Sequence, residues 1–148
     1  ALEIKLDEAD AMNKGFSSAF PLIVQYQKWV ESVMDAQGYI ENLFGRRYYI
    51  NNPNRFYKCA NYMIQGSCAD DLKEKMIAID TLLRDKKAQT KMMLCVHDEI
   101  QFLVKQGEEH LMIEVKKILE HSPKVFVPTI VEVEKTETTW ADKKKVHI

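Results

Sequence analysis

The pattern of apolar and polar residues over residues 7–37 predicts helix, and after Pro21 the apolar residues recur at spacings of three and four, which is typical of an amphipathic helix. We expect a first helix from Asp7, which can cap the first turn, and a break at Phe20-Pro21, because proline lacks the amide that the helical ladder needs. Pro21 then suits the first turn of a second helix, and Gly38 is its expected end. The apolar stripe of that second helix is predicted to contain Leu22, Tyr26, Trp29 or Val30, and Val33.

The pattern changes twice in the middle of the chain. Aromatic and β-branched residues surround Asn42 and Gly45, which predicts a short hairpin or irregular ribbon over residues 38–50. Helical spacing then returns over residues 54–86, the longest helical pattern in the chain. Gly66 lies inside that helix, where glycine costs about 1 kcal/mol relative to alanine, so we expect a packing or close-approach reason for it.

The second half of the chain predicts a strand hairpin followed by a helix. The apolar runs at 91–96 and 100–104 are of strand length, with the polar triplet His97-Asp98-Glu99 at the turn between them. A helix is expected over 107–120 and a strand region over 125–133. Helices followed by strands and one further helix give the expected fold class, α+β.

Composition excludes several classes of function. A chain of 148 residues is one domain at most, and 46% hydrophobic with 29% charged residues is ordinary globular composition. A net charge of −1 excludes a strongly basic polyanion-binding protein by bulk charge, although not a local basic patch. No apolar run approaches the roughly 18 residues of a membrane helix, so no membrane partner is expected. The Lys-rich end, Lys143-Lys144-Lys145, is expected to be a solvated tail.

The cysteines and the first residue bear on compartment and origin. The three cysteines, Cys59, Cys68 and Cys95, form no CxxC pair, and we interpret them as buried, reduced thiols of a cytoplasmic protein. The chain opens on Ala1 rather than methionine. We therefore expect a chain that has been processed, tagged or cut from something longer.

The turn between the two predicted strands carries an imidazole and two adjacent carboxylates, from His97, Asp98 and Glu99. Adjacent carboxylates repel one another, and they are held together most favourably where a cation or solvent screens them. A carboxylate at a hairpin tip could reach a Mg²⁺ ion from a rigid support, since Mg²⁺ prefers oxygen ligands. The alternative is an exposed charged turn.

A second candidate site lies on the long helix. Asn61 and Gln65 are four residues apart and share a face, with Lys58 on the same side. The small residues Gly66 and Ser67 beside them would form a low groove wall on which a backbone or sugar could lie. Uncharged amides can contact base edges and sugars. The alternative is a solvated helix face.

A third candidate is a basic and aromatic segment. Residues 38–58 contain three arginines, one lysine and one acid, which is a local charge of +3. Arginine beside tyrosine suits phosphate contact and base stacking. The alternative is surface charge next to core tyrosines. The cations are Arg46, Arg47, Arg55 and Lys58.

Three motifs, in this order, resemble those of family A (DNA polymerase I-like) DNA polymerases. GYIENLFGRR at residues 38–47 resembles the family pattern G-Y-x-x-T-x-x-G-R-R, and NYMIQGSCAD at 61–70 resembles N-x-x-x-Q-G-T-A-A-D. VHDE at 96–99 resembles motif C of the palm. Val127-Pro128 and Trp140-Ala141 resemble the family's C-terminal ending. The resemblance covers nearly the whole chain, and the sequence looks most like those of phage members of the family.

The resemblance implies a partial polymerase domain with a metal site. Residues 1–52 would be late fingers helices and a ribbon, and residues 53–148 would be the C-terminal palm portion, in which one helix packs on the antiparallel hairpin of motif C. Asp98 would bind the catalytic Mg²⁺ ions, Glu99 would support the site beside the metal, and His97 would lie near the primer terminus.

The resemblance also implies residues that bind DNA. Asn61 and Gln65 would contact the minor groove of the template–primer, where acceptors are alike for A·T and T·A. Arg46 and Arg47 would contact the DNA backbone. Arg55 and Lys58 are further DNA-binding candidates.

The sequence departs from the family in ways that limit these expectations. Tyr57 stands where the family has an arginine, four residues before Asn61, and whether Arg55 replaces it is open. Motif A, with the first metal-binding aspartate, and motif B, the helix that grips the incoming nucleotide, do not occur in the 148 residues. We therefore expect the C-terminal segment of a DNA-directed DNA polymerase, with template-dependent transfer of nucleotides by two metal ions, that is inactive alone. A motif A carboxylate from elsewhere would complete the Mg²⁺ site.

The expected partners follow from what the chain lacks. They are primer-template DNA, a dNTP bound through the missing N-terminal portion, and either an N-terminal polymerase fragment or a second copy at the open hairpin edge. The expected location is the cytoplasm of a bacterial or phage-infected host cell. A non-catalytic nucleic-acid-binding or accessory module with the palm fold is the main alternative. A metal-dependent hydrolase that uses His97, Asp98 and Glu99 is disfavoured, because no further cluster with metal-ligand spacing is visible.

Overall fold

The computed structural model describes residues 4–148. The helices are α1 (Leu6–Ala19), α2 (Pro21–Gln37), α3 (Cys59–Asp85) and α4 (Leu111–Glu120). The strands are β1 (Ile40–Glu41), β2 (Arg47–Tyr48), β3 (Lys91–Val96), β4 (Glu99–Leu103), β5 (Glu134–Lys135) and β6 (Lys144–Lys145). Short 3₁₀ helices lie at Pro53–Lys58 and Trp140–Asp142. The α+β prediction is confirmed.

The chain divides into two compact units, and the boundary falls inside α3. The first unit ends at Cys68 and the second begins at Ala69. Each unit has its own cluster of buried apolar residues, so each half of α3 packs within its own unit.

The first two helices begin and end close to the predicted residues. The cap at Asp7 is wrong, because α1 starts at Leu6 and the backbone N–H of Lys5 donates to the Glu8 carboxylate, with 3.3 Å between nitrogen and oxygen. The break at Phe20-Pro21 is confirmed, with Pro21 in the first turn of α2. Gly38 ends α2 at a φ of 78°, a left-handed conformation that glycine adopts without steric cost.

The core of the first unit contains one face of α2. Val30, and not its predicted alternative Trp29, is fully buried there, because Trp29 lies on the outer side of the helix with 53% of its surface exposed. Leu22, a further member of the predicted stripe, is 74% exposed. Tyr26 and Val33 pack at the edge of the cluster as predicted. The buried members of the cluster are Val30, Met34, Ile40, Cys59 and Ala60.

The predicted ribbon is confirmed as the β1–β2 hairpin. Ile40 lies opposite Tyr48, and Glu41 lies opposite Arg47. The buried Asn42 holds the turn between the strands, because its Oδ1 accepts hydrogen bonds from the backbone N–H groups of Phe44 and Arg46, both at 3.0 Å. The asparagine side chain thus adds two hydrogen bonds to the backbone bonds of this turn.

Gly66 of α3 is the point where the ribbon approaches the helix most closely. A Cβ atom added at this glycine would overlap the hydroxyl and ring of Tyr48. The neighbouring Ser67 is buried and accepts a hydrogen bond from the backbone N–H of Leu43 at 3.2 Å, while its hydroxyl donates to the Met63 carbonyl at 2.6 Å. The small residues therefore make room for the ribbon, and the expected groove wall for a nucleic-acid backbone at this point is wrong.

The second unit packs α3 against α4. The buried residues are Ile79, Leu83, Leu111 and Val115. The helix predicted over 107–120 begins only at Leu111, because the preceding residues form a turn that binds the start of β3. In that turn the Glu108 carboxylate accepts hydrogen bonds from the backbone N–H and the hydroxyl of Thr90, at 2.8 and 2.7 Å.

The hairpin β3–β4 is confirmed, but its turn is shorter than predicted. Val96 lies opposite Glu99 in the antiparallel ladder, so only His97 and Asp98 form the turn. Glu99 therefore belongs to β4. A register shift between Met92 and Leu94 bends the other end of the hairpin.

The strand region predicted over 125–133 is wrong. Pro128 has no amide to donate to a ladder, and the side chain of Phe126 is 98% exposed instead of facing a core. The strands form later, where β5 pairs with β6 and draws Lys144 and Lys145 into a ladder. The Lys-rich end is thus not the solvated tail that composition suggested.

The cysteines also differ from expectation. Cys59 is buried in the first cluster as predicted, and burial raises the pKa of its thiol. Cys68 and Cys95 are exposed, so the burial prediction is wrong for these two residues. All three are free thiols.

We predict that Gly66→Ala destabilises the first unit by about 1–3 kcal/mol, because the added methyl group forces Tyr48 off the helix. Urea unfolding followed by Trp29 fluorescence measures the loss. Gly15→Ala is the matched control, since nothing lies within 4 Å of a Cβ there, and alanine should stabilise α1. In a Tyr48→Ala background the Gly66→Ala cost should shrink. An equal cost in both backgrounds would contradict the contact.

Candidate functional site

The tip of the β3–β4 hairpin carries two exposed polar residues, His97 and Asp98. His97 has a φ of 55°, in the left-handed region that residues other than glycine seldom adopt. Such strain persists where the surrounding structure enforces it, and it concentrates at functional sites. Within residues 4–148 the Asp98 carboxylate makes no hydrogen bond or ion pair, so it is available to bind a cation.

The neighbouring carboxylate of Glu99 is held on both oxygens. Gln101 donates its side-chain amide to Oε1 at 3.1 Å, and the Lys143 ammonium donates to Oε2 at 3.2 Å. The hydrogen bond from Gln101, followed by that from Lys143, lowers the pKa of Glu99 below its ordinary value. The two adjacent carboxylates thus have different surroundings, although the sequence places them side by side.

The hairpin tip offers a metal ion one ligand. Mg²⁺ in proteins is bound by one or two carboxylates together with water and substrate phosphates. Asp98 fits that role because it is exposed and unpaired. Across residues 4–148 no group of three or more His, Cys, Asp or Glu residues could hold a metal ion. The described residues therefore fit part of a metal site and do not complete it.

The predicted amide pair lies on the exposed face of α3 within the first unit. Asn61 and Gln65 are one helical turn apart, and both are exposed. In the described part of the chain neither side chain hydrogen-bonds to protein. Both amides can therefore donate to and accept from an external partner.

An open groove of about 550 Å³ lies beside the ribbon in the first unit. It brings together three of the four cations singled out in the sequence, Arg47, Arg55 and Lys58, whereas Arg46 does not line it. Among residues 4–148, no carboxylate lines it. Its lining residues are Arg47, Tyr48, Tyr49, Ile50, Asn51, Asn52, Arg55, Lys58 and Tyr62.

The cations of the groove differ in how firmly they are held. Arg47 is fixed from one side, because its Nε donates to Glu41 at 3.0 Å and its guanidinium lies 4.6 Å from the centre of the Tyr39 ring. The hydrogen bond to Glu41 raises the pKa of Arg47. Arg55 and Lys58 form no ion pair within residues 4–148, so both are available to an anion.

Sequence reasoning missed two contributors to these sites. Tyr62 lines the groove and stacks on Tyr48, with ring centres 5.7 Å apart and planes at 8°. Its position directly after Asn61 in the helix motif could have indicated this. Lys143 binds Glu99 from 44 residues away, and no local pattern connects the two.

The comparisons with known proteins agree with one another. The family model described as DNA polymerase family A matches residues 1–142. The chain is 36% identical over 97% of its length to DNA polymerase I of Streptococcus pneumoniae, and 34% identical over 83% of its length to DNA polymerase I of Aquifex aeolicus. It is similar to a solved structure, the POL domain of Pol1 from M. smegmatis in complex with DNA primer-template and dNTP. That match has a TM-score of 0.73 and 28% identity, and it covers 80% of this chain and 23% of the other.

Fold and sequence together place the chain among partial polymerase domains of mixed α+β architecture. The chain belongs to DNA polymerase family A. It spans 17% of the length of the Streptococcus pneumoniae relative and 21% of the Aquifex aeolicus relative. None of the helices in the described residues combines the length and apolarity that a membrane span requires.

We predict that His97→Gly stabilises the second unit by roughly 1 kcal/mol, because glycine adopts the left-handed conformation without strain. His97→Val should destabilise the unit, since a β-branched residue tolerates this conformation poorly. Urea unfolding of the variants measures both effects. Lys87→Gly is the matched control at a second residue with positive φ, 50°, away from the hairpin tip, and it should also stabilise. Stabilisation by His97→Val would contradict the strained turn.

Proposed function

We propose that this chain is the C-terminal segment of a DNA-directed DNA polymerase that performs template-dependent nucleotidyl transfer. The observation that carries the proposal is the β3–β4 hairpin of a family A chain, which presents an exposed, unpaired Asp98 at its tip. The structural relative that binds primer-template and dNTP supports the same class of substrates. We also propose the division into late fingers over 1–52 and palm over 53–148.

Asp98 is proposed as the one Mg²⁺ ligand of these residues. The remaining protein ligand is proposed to be a carboxylate from outside them, since no group of three or more His, Cys, Asp or Glu residues within residues 4–148 could hold the ion. A pair of bound metal ions would activate the attacking hydroxyl and neutralise the phosphates of the incoming nucleotide. His97 at the same turn is proposed to face the primer terminus, and Glu99 is proposed to support the site.

The DNA-binding surface is proposed to combine the amide face and the groove. Asn61 and Gln65 would contact the minor groove of the duplex, where amides can test the shape of a base pair without identifying it. Arg55 and Lys58 are free to bind phosphates, and Arg47 is already oriented by Glu41. Arg46 is proposed as a further backbone contact.

A partner portion is proposed to complete the enzyme. The β3–β4 sheet has two strands, and Met93, Leu94 and Leu103 on it are each more than half exposed. An open, apolar hairpin of this kind invites a further strand. We propose that the strand comes from an N-terminal polymerase portion that also binds the dNTP, with a second copy of the chain as the weaker alternative.

The cellular location of the protein is proposed from the class of enzyme and from the relatives. Cytoplasmic replication in a bacterial or phage-infected cell fits a DNA polymerase, and the relatives named above are bacterial. The alternative function, an accessory module that binds nucleic acid without catalysis, is favoured by the incomplete metal site. Primer extension separates the two.

We predict that residues 1–148 alone extend no primer, and that extension appears when a family A polymerase portion with motifs A and B is added. Asp98→Ala should then reduce the rate about a thousandfold, because removing a metal ligand loses several kcal/mol of transition-state stabilisation. Asp85→Ala, a change at an exposed aspartate at the end of α3, is the matched control and should leave the rate unchanged. Extension by the chain alone, or full activity of Asp98→Ala, would overturn the proposal. Binding without rescue would favour the accessory module.

We predict that the chain binds primer-template DNA and that affinity falls with salt. Arg55→Gln and Lys58→Gln should each weaken binding and reduce the slope of log affinity against log salt by about 1, because each removes one phosphate contact. Fluorescence anisotropy of a labelled primer-template measures both quantities. Lys28→Gln on α2 removes an exposed lysine outside the groove and is the control. The same loss in all three variants would indicate bulk charge and not a groove site.

A further inference from the structure

The C-terminal ribbon β5–β6 supplies a cation to the hairpin that carries Asp98. Lys143, directly before β6, places its Nζ 3.2 Å from Glu99 Oε2 and 2.9 Å from Glu134 Oε2. One ammonium group thus bridges a carboxylate of β4 and a carboxylate of β5. The three side chains are each about a third exposed, which leaves the bridge partly shielded from water.

Further contacts hold Glu99 in the same orientation. Gln101 donates to its other oxygen at 3.1 Å. The Lys143 ammonium lies 5.5 Å from the centre of the Trp140 ring. Glu99 is therefore committed to protein partners on both oxygens, whereas its neighbour Asp98 has none in the described residues.

We propose that Lys143 is a positioning residue that binds Glu99 and so leaves Asp98 as the sole cation ligand of the hairpin tip. The proposal rests on the proposed function of Asp98. It adds that the two acids have different roles, because Asp98 binds the cation and Glu99 binds Lys143. Adjacent carboxylates repel, and without an internal cation both would compete for the same metal ion. Lys143 neutralises one of them and fixes its direction.

The bridge contributes orientation more than stability. Partly exposed ion pairs stabilise folded proteins little, because solvent and salt screen them. Removing Lys143 should therefore leave the second unit folded while releasing the Glu99 side chain. If Lys143 had a purely structural role, its removal would unfold the second unit and would not change which carboxylate of the hairpin binds a cation.

The experiment uses Mn²⁺ as the probe, because it prefers the same oxygen ligands as Mg²⁺ and broadens the NMR signals of the groups it binds. In residues 1–148 with ¹³C-labelled side chains, Mn²⁺ should remove the carboxyl signal of Asp98 before that of Glu99. In Lys143→Met the Glu99 signal should be lost at the same Mn²⁺ concentration as that of Asp98. Lys143→Arg should restore the wild-type order, since arginine keeps the charge.

The matched control is Lys144→Met, which removes the adjacent lysine of β6, and it should keep the wild-type order. The amide spectrum of each variant reports whether the unit is folded. A second variant, Glu99→Gln, should release the Lys143 ammonium, which lies 5.5 Å from the centre of the Trp140 ring, and so shift the indole signal of Trp140 while that of Trp29 stays unchanged. This variant tests the bridge without any change at Lys143.

Two results would overturn the inference, and they differ. If Mn²⁺ removes the Asp98 and Glu99 signals together in the wild-type chain, the role of Lys143 fails while Asp98 remains a cation ligand. If Mn²⁺ affects neither carboxyl signal even after a polymerase portion that carries motif A is added, the proposed metal role of Asp98 fails and the inference falls with it.

Discussion

The close approach of Tyr48 to Gly66 is the contact on which the first unit depends. Glycine inside α3 costs about 1 kcal/mol of helix stability relative to alanine. The ribbon can nevertheless lie on the helix only because Gly66 has no side chain there. Ser67 and Asn42 then hold the turn of the ribbon by hydrogen bonds, and Tyr62 stacks on Tyr48. This packing fixes one wall of the basic groove. The groove that is proposed to bind DNA thus depends on a small residue, Gly66, that does not line it.

Local rules predicted the elements whose causes are local. The break at Phe20-Pro21 and the end of α2 at Gly38 follow from missing amides and permitted backbone angles, which a single residue determines. The hairpin over 91–104 follows from two apolar runs of strand length. The same two runs predict that Asp98 lies at the turn, and the family resemblance adds its expected metal-binding role. The exposure of Asp98 and its lack of partners within residues 4–148 depend on the tertiary structure, which the sequence pattern does not reveal.

Distant contacts explain the failures. Residues 125–133 have the apolar content of a strand, but Pro128 lacks an amide and none of the described strands pairs with this segment. The position of Gly66 inside a helix predicts a close approach, but nothing in the helix motif refers to Tyr48, so the sequence does not predict which group approaches. The sequence predicts that Lys143 is solvated, because no local pattern relates it to Glu99, 44 residues away.

The near-zero net charge of the chain is the sum of local charges that have different roles in the two units. In the first unit, cations gather around a groove that no carboxylate lines, so phosphate binding there meets no local repulsion. In the second unit, Lys143 is placed between Glu99 and Glu134, and one carboxylate at the hairpin tip is left without a counter-ion. A carboxylate neutralised by the protein itself is a poor metal ligand, whereas an unpaired one at a rigid turn is a good one. Lys143 therefore adds an electrostatic difference to the structural difference between Asp98 in the turn and Glu99 in β4.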